Sequence, residues 1–428
     1  MSQSIGRTRH APPRFTYESL LHLLLWAGMI LCSYELTAPA PFDLFVVAMI
    51  PVWFFTRFHV HRVLIVFVFL MLARFGIEAL ALVPYVNEPD PYTYVYYSLV
   101  CTVFALFFAF FMSDNTEERM HIFLHGYYIS CLIAALAGIL GYLNVAGTAK
   151  YFTMDEGRAS GTFLDANVLG SYLVLGALYA FQRTLLTRGA AQIGMGAGFL
   201  FICIGVLFSF SRGSWGALIV TIILLAFMTF ATAASRMDRR KIGKVFIVML
   251  LVAVLALLAL MADESIRTFL LQRAKLLHSY DSGATGRFGN QARSLPMLLN
   301  RPMGFGPLRF RLIFVHEPHD SYISAFANAG WIGGFVFILL ALITNFVGSR
   351  LCFTRSPYQR MAQVVWPATL AHFLQGFQID IDHWRFLYAV MGALWGLEAA
   401  RQRWLAHTLR AGARAQVAGG DAQPVLQG

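Results

Sequence analysis

Charge is scarce in this chain. Only 13% of its 428 residues are Asp, Glu, Lys or Arg, where a soluble domain carries roughly a quarter. That shortage excludes an ordinary soluble globular protein. Cysteine is scarce too. Cys32, Cys101, Cys131, Cys203 and Cys352 are the only five, and each falls in or at the end of an apolar segment with no metal-spaced pair among them. This excludes a disulfide framework and leaves them as small packing residues. Also missing is the alternating pattern, about ten residues per strand, of a membrane β-barrel. No internal repeat is visible. No small-residue cleavage site follows the first apolar segment, so no cleavable signal peptide is expected.

What is plentiful is apolar sequence, at 58%. Apolar runs of about 18 residues or more recur along the whole length, each long enough to span a bilayer. The expected fold is all-α: a polytopic integral membrane protein of about twelve helices. Their spans are 17–35, 40–56, 62–83, 93–113, 121–144, 165–185, 193–210, 213–234, 244–262, 321–347, 361–379 and 384–400. Residues 1–410 then form one transmembrane domain with a long loop, 263–320, between the ninth and tenth spans; 411–428 reads as a small, polar, disordered tail.

The net charge of +11 would point to nucleic acid in a soluble protein. Here most arginines flank apolar spans, and topology accounts for them. Arg7, Arg9 and Arg14, then Arg57 and Arg62, Arg119, Arg183 and Arg188, the cluster 235–244, Arg350, Arg355 and Arg360, and Arg401, Arg403, Arg410 and Arg414 all fall on one side. That side is the cytoplasm by the positive-inside rule, which puts both termini inside. The first two outer loops follow the rule. The later ones do not: Lys150, Arg158, Arg212 and, in the long loop, Arg267, Arg273, Lys275, Arg287, Arg293, Arg301, Arg309 and Arg311 lie outside. Long loops tolerate charge, yet arginines gathered on the outer face call for an anionic partner, and the planar guanidinium suits phosphate.

Four outer stretches stand out. In "DEGRASGTFLDANVLGSYL", 155–173, Gly157 and Gly161 permit tight turns around Arg158, and Asp165 is placed to cap the next helix. In "FSFSRGSWGAL", 208–218, Arg212 sits in a very short turn between apolar spans, at the membrane surface. "GATGRFGNQARSLPMLLNRPMGFGPLRF", 283–310, joins Arg287 to a glycine-broken turn at Gly304 and Gly306. "RLIFVHEPHDSYISAFANAG", 311–330, carries His316 and His319. Taken singly, each also reads as structure: an arginine anchor, a turn, a hydrogen-bonded loop histidine. No Cys or carboxylate cluster completes a zinc site around the histidines, so no metal is expected.

The order Arg-x-x-Gly-Thr-Phe-x-x-x-Asn from Arg158 to Asn167, Ser211-Arg212-Gly213, Gly-Arg before a long loop with "PMGFG", and His-Asp-Ser-Tyr running into "FANAGWIGGFVFIL" resembles the O-antigen ligase and polymerase superfamily over roughly 150–345. Two positions depart from the family pattern. Asp320 stands where an Asn follows the histidine, and Asp165-Ala166-Asn167 replaces Asn-Pro-Asn.

The resemblance implies a glycosyltransferase of the bacterial inner membrane, working at the periplasmic face without a nucleotide sugar and without a cofactor. Its donor would be a glycan on undecaprenyl diphosphate. Its acceptor would be lipid A–core for a ligase, or a second lipid-linked glycan for a polymerase. The residue chemistry fits. Arg158, Arg212 and Arg287 would stabilise the departing diphosphate. His319 would take the acceptor's proton, with His316 as second choice or positioning group. Asn167, Asp320, Arg309 and Arg311 join the substrate-binding candidates, and Asp320 is one candidate to orient His319. "QGFQIDIDHWRF", 375–386, places Asp380, Asp382, His383 and Arg385 at the outer end, either lining the acceptor cleft or forming a solvated turn. Arg74 and Glu78 can pair on one helical face. A competing class is a transporter or flippase for lipid-linked glycans. It would show paired halves with broken helices at mid-depth, and no such repeat is present.

Overall fold

The structure is a computed structural model that describes residues 16–54, 60–154, 157–273, 283, 286–314 and 316–420, with side chains to 411. Arg7, Arg9, Arg14, Arg57, Lys275, the side chain of Arg414, the first two residues of the 155–173 stretch and the end of the tail lie outside them.

Regular structure among these residues is helical. The chain runs through α1 (Tyr17–Leu31), α2 (Pro41–Phe54), α3 (Arg62–Leu82), α4 (Pro89–Ser113), α5 (Thr116–Tyr142), the single turn α6 (Ala149–Phe152), α7 (Ala166–Leu186), α8 (Gly189–Phe208), α9 (Arg212–Ala231) and α10 (Arg236–Leu260). It continues through α11 (Glu264–Arg273), α12 (Arg287–Leu299), α13 (Arg311–Phe314), α14 (Ser321–Phe353), α15 (Gln359–Gln375) and α16 (Arg385–Gly420). A helix stands at each segment expected to span. Among the described residues seven, α3, α4, α5, α8, α9, α10 and α14, are long and apolar enough to cross a membrane, while α1 and α2 are apolar but shorter. The long loop is not irregular throughout, since it contains α11, α12 and α13. The last helix continues to Gly420, into the segment expected to be a disordered tail.

Hydrophobicity and burial run in opposite directions here, as they should in lipid. α10 is the most apolar span and only 11% of it is buried; Ile242 and Met249 are its buried residues. It touches α9 and α7 on one side and leaves most of its surface uncovered, and a helix exposed in that way to lipid must be apolar on nearly every face. α7 and α15 are the reverse. From Leu169 to Gln182 every residue of α7 is buried, as is every residue of α15 from Met361 to Thr369. Enclosed by other helices, they carry Gln182, Thr184, Gln363, His372 and Gln375 among their buried groups. α7 packs on α5, α8 and α9, and α15 on α7, α9, α14 and α16. These two central helices end at the site.

α14 is broken at Gly330, whose φ of 67° and ψ of −166° are not helical. The break docks the long loop. Trp331 N–H donates to Pro302 O at 2.9 Å, Phe305 N–H to Ala327 O at 2.6 Å, and a Cβ on Gly330 would stand 2.2 Å from Pro302 O. Leu298, Phe305, Phe310, Phe314 and Ala327 close a small second core beneath the loop. The loop is thus a built lid on the start of α14.

Candidate functional site

Four helices begin around one cavity. Asp165 caps α7 by accepting from Asn167 N–H at 2.5 Å. Ser211 caps α9, Gly286 precedes α12, and Asp320 caps α14. Helix starts carry unpaired amides and a partial positive charge, which favours an anion. The cavity is about 810 Å³, and Asp165, Ser211, Gly286 and Arg287 lie on its wall.

Arg158, Asn167, Arg212, Arg287, His316 and His319 all line this cavity, so residues from four separated stretches of sequence meet in one place. Arg158 is buried in it, with Nε donating to Ser209 O at 3.1 Å and one Nη to Asn167 Oδ1 at 2.7 Å. It therefore ties the loop before α7 to the α8–α9 turn. That turn is tight. Phe210 adopts φ 47°, and its ring packs on Phe269 of α11 at 4.3 Å, so the lid helix and the turn carrying Arg212 hold each other. Arg287 donates to Gln378 O at 3.1 Å.

His319 sits just before α14, in the left-handed region at φ 49°. Its Nδ1 lies 3.2 Å from Asp380 Oδ2. That hydrogen bond raises the imidazole pKa above its ordinary value; burial and Arg287 oppose the rise, and Glu317 adds to it. With Nδ1 engaged, Nε2 is the nitrogen left for a reacting group. Asp320 caps its own helix, with Oδ1 accepting from Tyr322 and Ile323 N–H at 2.9 and 3.0 Å, because a carboxylate just before a helix start meets the orphan amides first; the carboxylate placed at His319 Nδ1 is that of Asp380. Burial raises the Asp320 pKa.

Arg309 and Arg311 do not line the cavity. Arg309 pairs with Glu88 and lies over the Tyr85 ring at 4.1 Å. Arg311 pairs with Asp90 at 2.6 Å and stands 3.8 Å from Glu317. Both arginines fasten the long loop to the start of α4.

Glu317, Asn290 and Gln378, not singled out by sequence, line the cavity as well, as does Arg273, one of the outer-face arginines of the long loop. Glu317 is pushed up to about 7 by burial and by Asp380. Its place between two candidate histidines was the available signal. The 375–386 stretch divides. Asp380 faces the cavity, while Asp382 meets Tyr94, His383 meets Ser98 at 2.9 Å, and Arg385 meets Asp43 at 2.6 Å.

Residues 197–338 match the O-antigen ligase family. The matched segment is about a third of the chain, and it is there that the chain is similar to an O-antigen ligase. The match runs from within α8 to within α14 and takes in Arg212, Arg287, His316 and His319; Arg158, Asn167 and Asp380 lie beyond it. The superfamily resemblance read from the motifs therefore stands, and with it a membrane protein of glycosyltransferase type. No curated protein matches the chain.

Proposed function

We propose that this chain is an O-antigen ligase-type glycosyltransferase. It moves a glycan from undecaprenyl diphosphate to a sugar hydroxyl of lipid A–core, at the periplasmic face of the bacterial inner membrane, with both termini in the cytoplasm. One observation carries the reading: an arginine set, Arg158, Arg212 and Arg287, lines the same cavity as a histidine whose Nδ1 is held by a carboxylate.

The chemistry follows from that pairing. The acceptor hydroxyl oxygen attacks the anomeric carbon, and its proton passes to His319 Nε2. The bond from that carbon to the diphosphate oxygen breaks, and undecaprenyl diphosphate leaves with the bonding electrons. A direct displacement of this kind inverts the anomeric centre. Charge grows on the diphosphate as the bond breaks, and arginines already oriented in a partly enclosed cavity stabilise it without reorganisation. Asp380 holds the imidazole by Nδ1 and stabilises the imidazolium that forms, as a carboxylate does in hydrolase triads. The residues supply both the base and the positive charge, so the step needs no metal.

The test is complementation of a deletion strain with wild type, His319→Ala or Arg212→Ala at matched membrane levels. Restored glycan on lipid A–core with wild type, and glycan left on undecaprenyl diphosphate with both variants, is the expected result. Restored chain length without a change of attachment moves the assignment to a polymerase. Full activity of both variants overturns the site and reopens the transporter reading.

A further inference from the structure

Asp380 lies in the turn between α15 and α16, where no helix ladder holds it, yet both of its oxygens are engaged. Oδ2 faces His319 Nδ1 at 3.2 Å, and Oδ1 accepts from Ser324 Oγ at 3.2 Å. The backbone on either side is held by one hydroxyl. Ser321 Oγ donates to Ile379 O at 3.1 Å and accepts from Ile381 N–H at 2.7 Å, so it brackets Asp380. Ser321 N–H adds a bond to Gly376 O at 2.7 Å. Ser321 and Ser324 are 1% and 4% exposed, so water does not stand in for a lost bond there.

The far side of the turn is anchored as well. The Asp382 carboxylate accepts from Tyr94 Oη, which takes a second bond from Asn328 Nδ2 at 2.9 Å. The Asp382 carbonyl accepts from Arg74 at 3.2 Å and from Tyr388 Oη at 2.7 Å. Asp380 is therefore gripped between the first turn of α14 and a buried polar network on α3, α4 and α16.

We infer that Ser321 and Ser324 are positioning residues that set the Asp380 carboxylate against His319 in the transfer step. The inference rests on His319 being the base. The two serines lie on the same first turn of α14 that follows His319, so one rigid element carries the histidine and aims its partner. Rotating the Asp380 carboxylate away from the imidazole breaks the Ser324 bond, and sliding the turn breaks both bonds of the Ser321 hydroxyl. The charged groups around His319 are Asp380 from the turn, Arg287 from the start of α12, and Glu317 and Asp320 on its own segment. Asp380 is the one that meets the ring at Nδ1, at 3.2 Å.

The test follows His319 directly in the purified full-length chain in micelles. Diethyl pyrocarbonate modification of the His319 peptide is measured against pH by mass spectrometry, beside transfer from a lipid-linked glycan extracted from the deletion strain. Asp380→Asn sets the reference, a downward shift of the His319 titration. Ser324→Ala is expected to shift it the same way and to slow transfer about ten- to a hundredfold, as a small misplacement does. Ser324→Thr, which keeps the hydroxyl, is expected to restore both. Ser321→Ala removes the bracket independently and provides the same readouts if Ser324→Ala accumulates poorly. A packing role alone would change yield and leave the titration in place. If Asp380→Asn lowers the His319 titration while both serine variants leave it in place or raise it, the positioning inference is overturned and the base assignment survives. If His319→Ala transfers normally, the base assignment itself falls.

Discussion

His319 holds an unfavourable backbone conformation. A left-handed φ costs a non-glycine residue on the order of 1 kcal/mol, and at 49° His319 accepts that cost in the turn that meets Asp380. Its titration sets the pH dependence. A base must be neutral to accept a proton, and Asp380 raises the His319 pKa above its ordinary value. Transfer is therefore expected to fall as pH drops through that raised value. Asp380→Asn removes the carboxylate, lowers the His319 pKa and moves the acid limb of the rate profile to lower pH, while the plateau rate drops. His319→Ala is expected to cost about 10²- to 10⁴-fold in rate, read at matched protein levels across pH 5–8. An acid limb unmoved in Asp380→Asn would contradict this account. Much of this was legible: His319, Arg158, Arg212 and Arg287 stand out as polar groups beside apolar spans. Its partner was not. Asp320 is adjacent in sequence, whereas Asp380 arrives from the turn after α15 by folding alone, and nothing local in "QIDID" separates Asp380 from Asp382.

Two elements carry polar devices inside apolar surroundings. Arg74 and Glu78 on α3 pair at 3.2 Å while 3% and 7% exposed, and Arg74 also reaches Tyr388 Oη at 2.5 Å. Arg74→Ala strands Glu78 in a dry site and is expected to cost about 3–5 kcal/mol, whereas replacing both with Met and Leu costs less. Thermal unfolding in micelles would rank the two variants. The helix spacing made the pair legible; the Tyr388 and Asp382 contacts come from sequence too distant to anticipate. The second device is the break in α14. "FANAGWIGG" reads as continuous helix, and the reason it is not lies in the loop: Gly330 yields its helical geometry so that Pro302 O can reach Trp331 N–H. Gly330→Ala meets both a positive φ and the Pro302 carbonyl, and is expected to lower the melting temperature and detach the lid. Increased proteolysis between 300 and 320 would record that detachment.

At the scale of the whole molecule, the site depends on which end of the bundle faces out. The cysteines are buried or half-buried, so the native chain offers little background for labelling. Met303 in the long loop and Met237 at the start of α10 are each 76% exposed. With the topology proposed, Met303→Cys reacts with an impermeant maleimide in intact spheroplasts, and Met237→Cys reacts only after permeabilisation. The reverse pattern would put the arginine cavity in the cytoplasm. A polytopic helical chain was legible from composition, and among the described residues seven helices are long and apolar enough to cross a membrane; helices with little buried surface, such as α10, must be apolar all round to sit in lipid. The enclosure of α7 and α15 was not legible, since a helix surrounded by protein has no need of a continuous apolar surface.

The most direct test of the central claim is transfer by the purified chain in liposomes. Glycan on undecaprenyl diphosphate is supplied with lipid A–core, and the anomeric configuration of the product is read by NMR. The account predicts a glycan joined to lipid A–core with inverted configuration, release of undecaprenyl diphosphate, and loss of both in Arg212→Ala and His319→Ala. Retained configuration, or transfer that survives both substitutions, would contradict it.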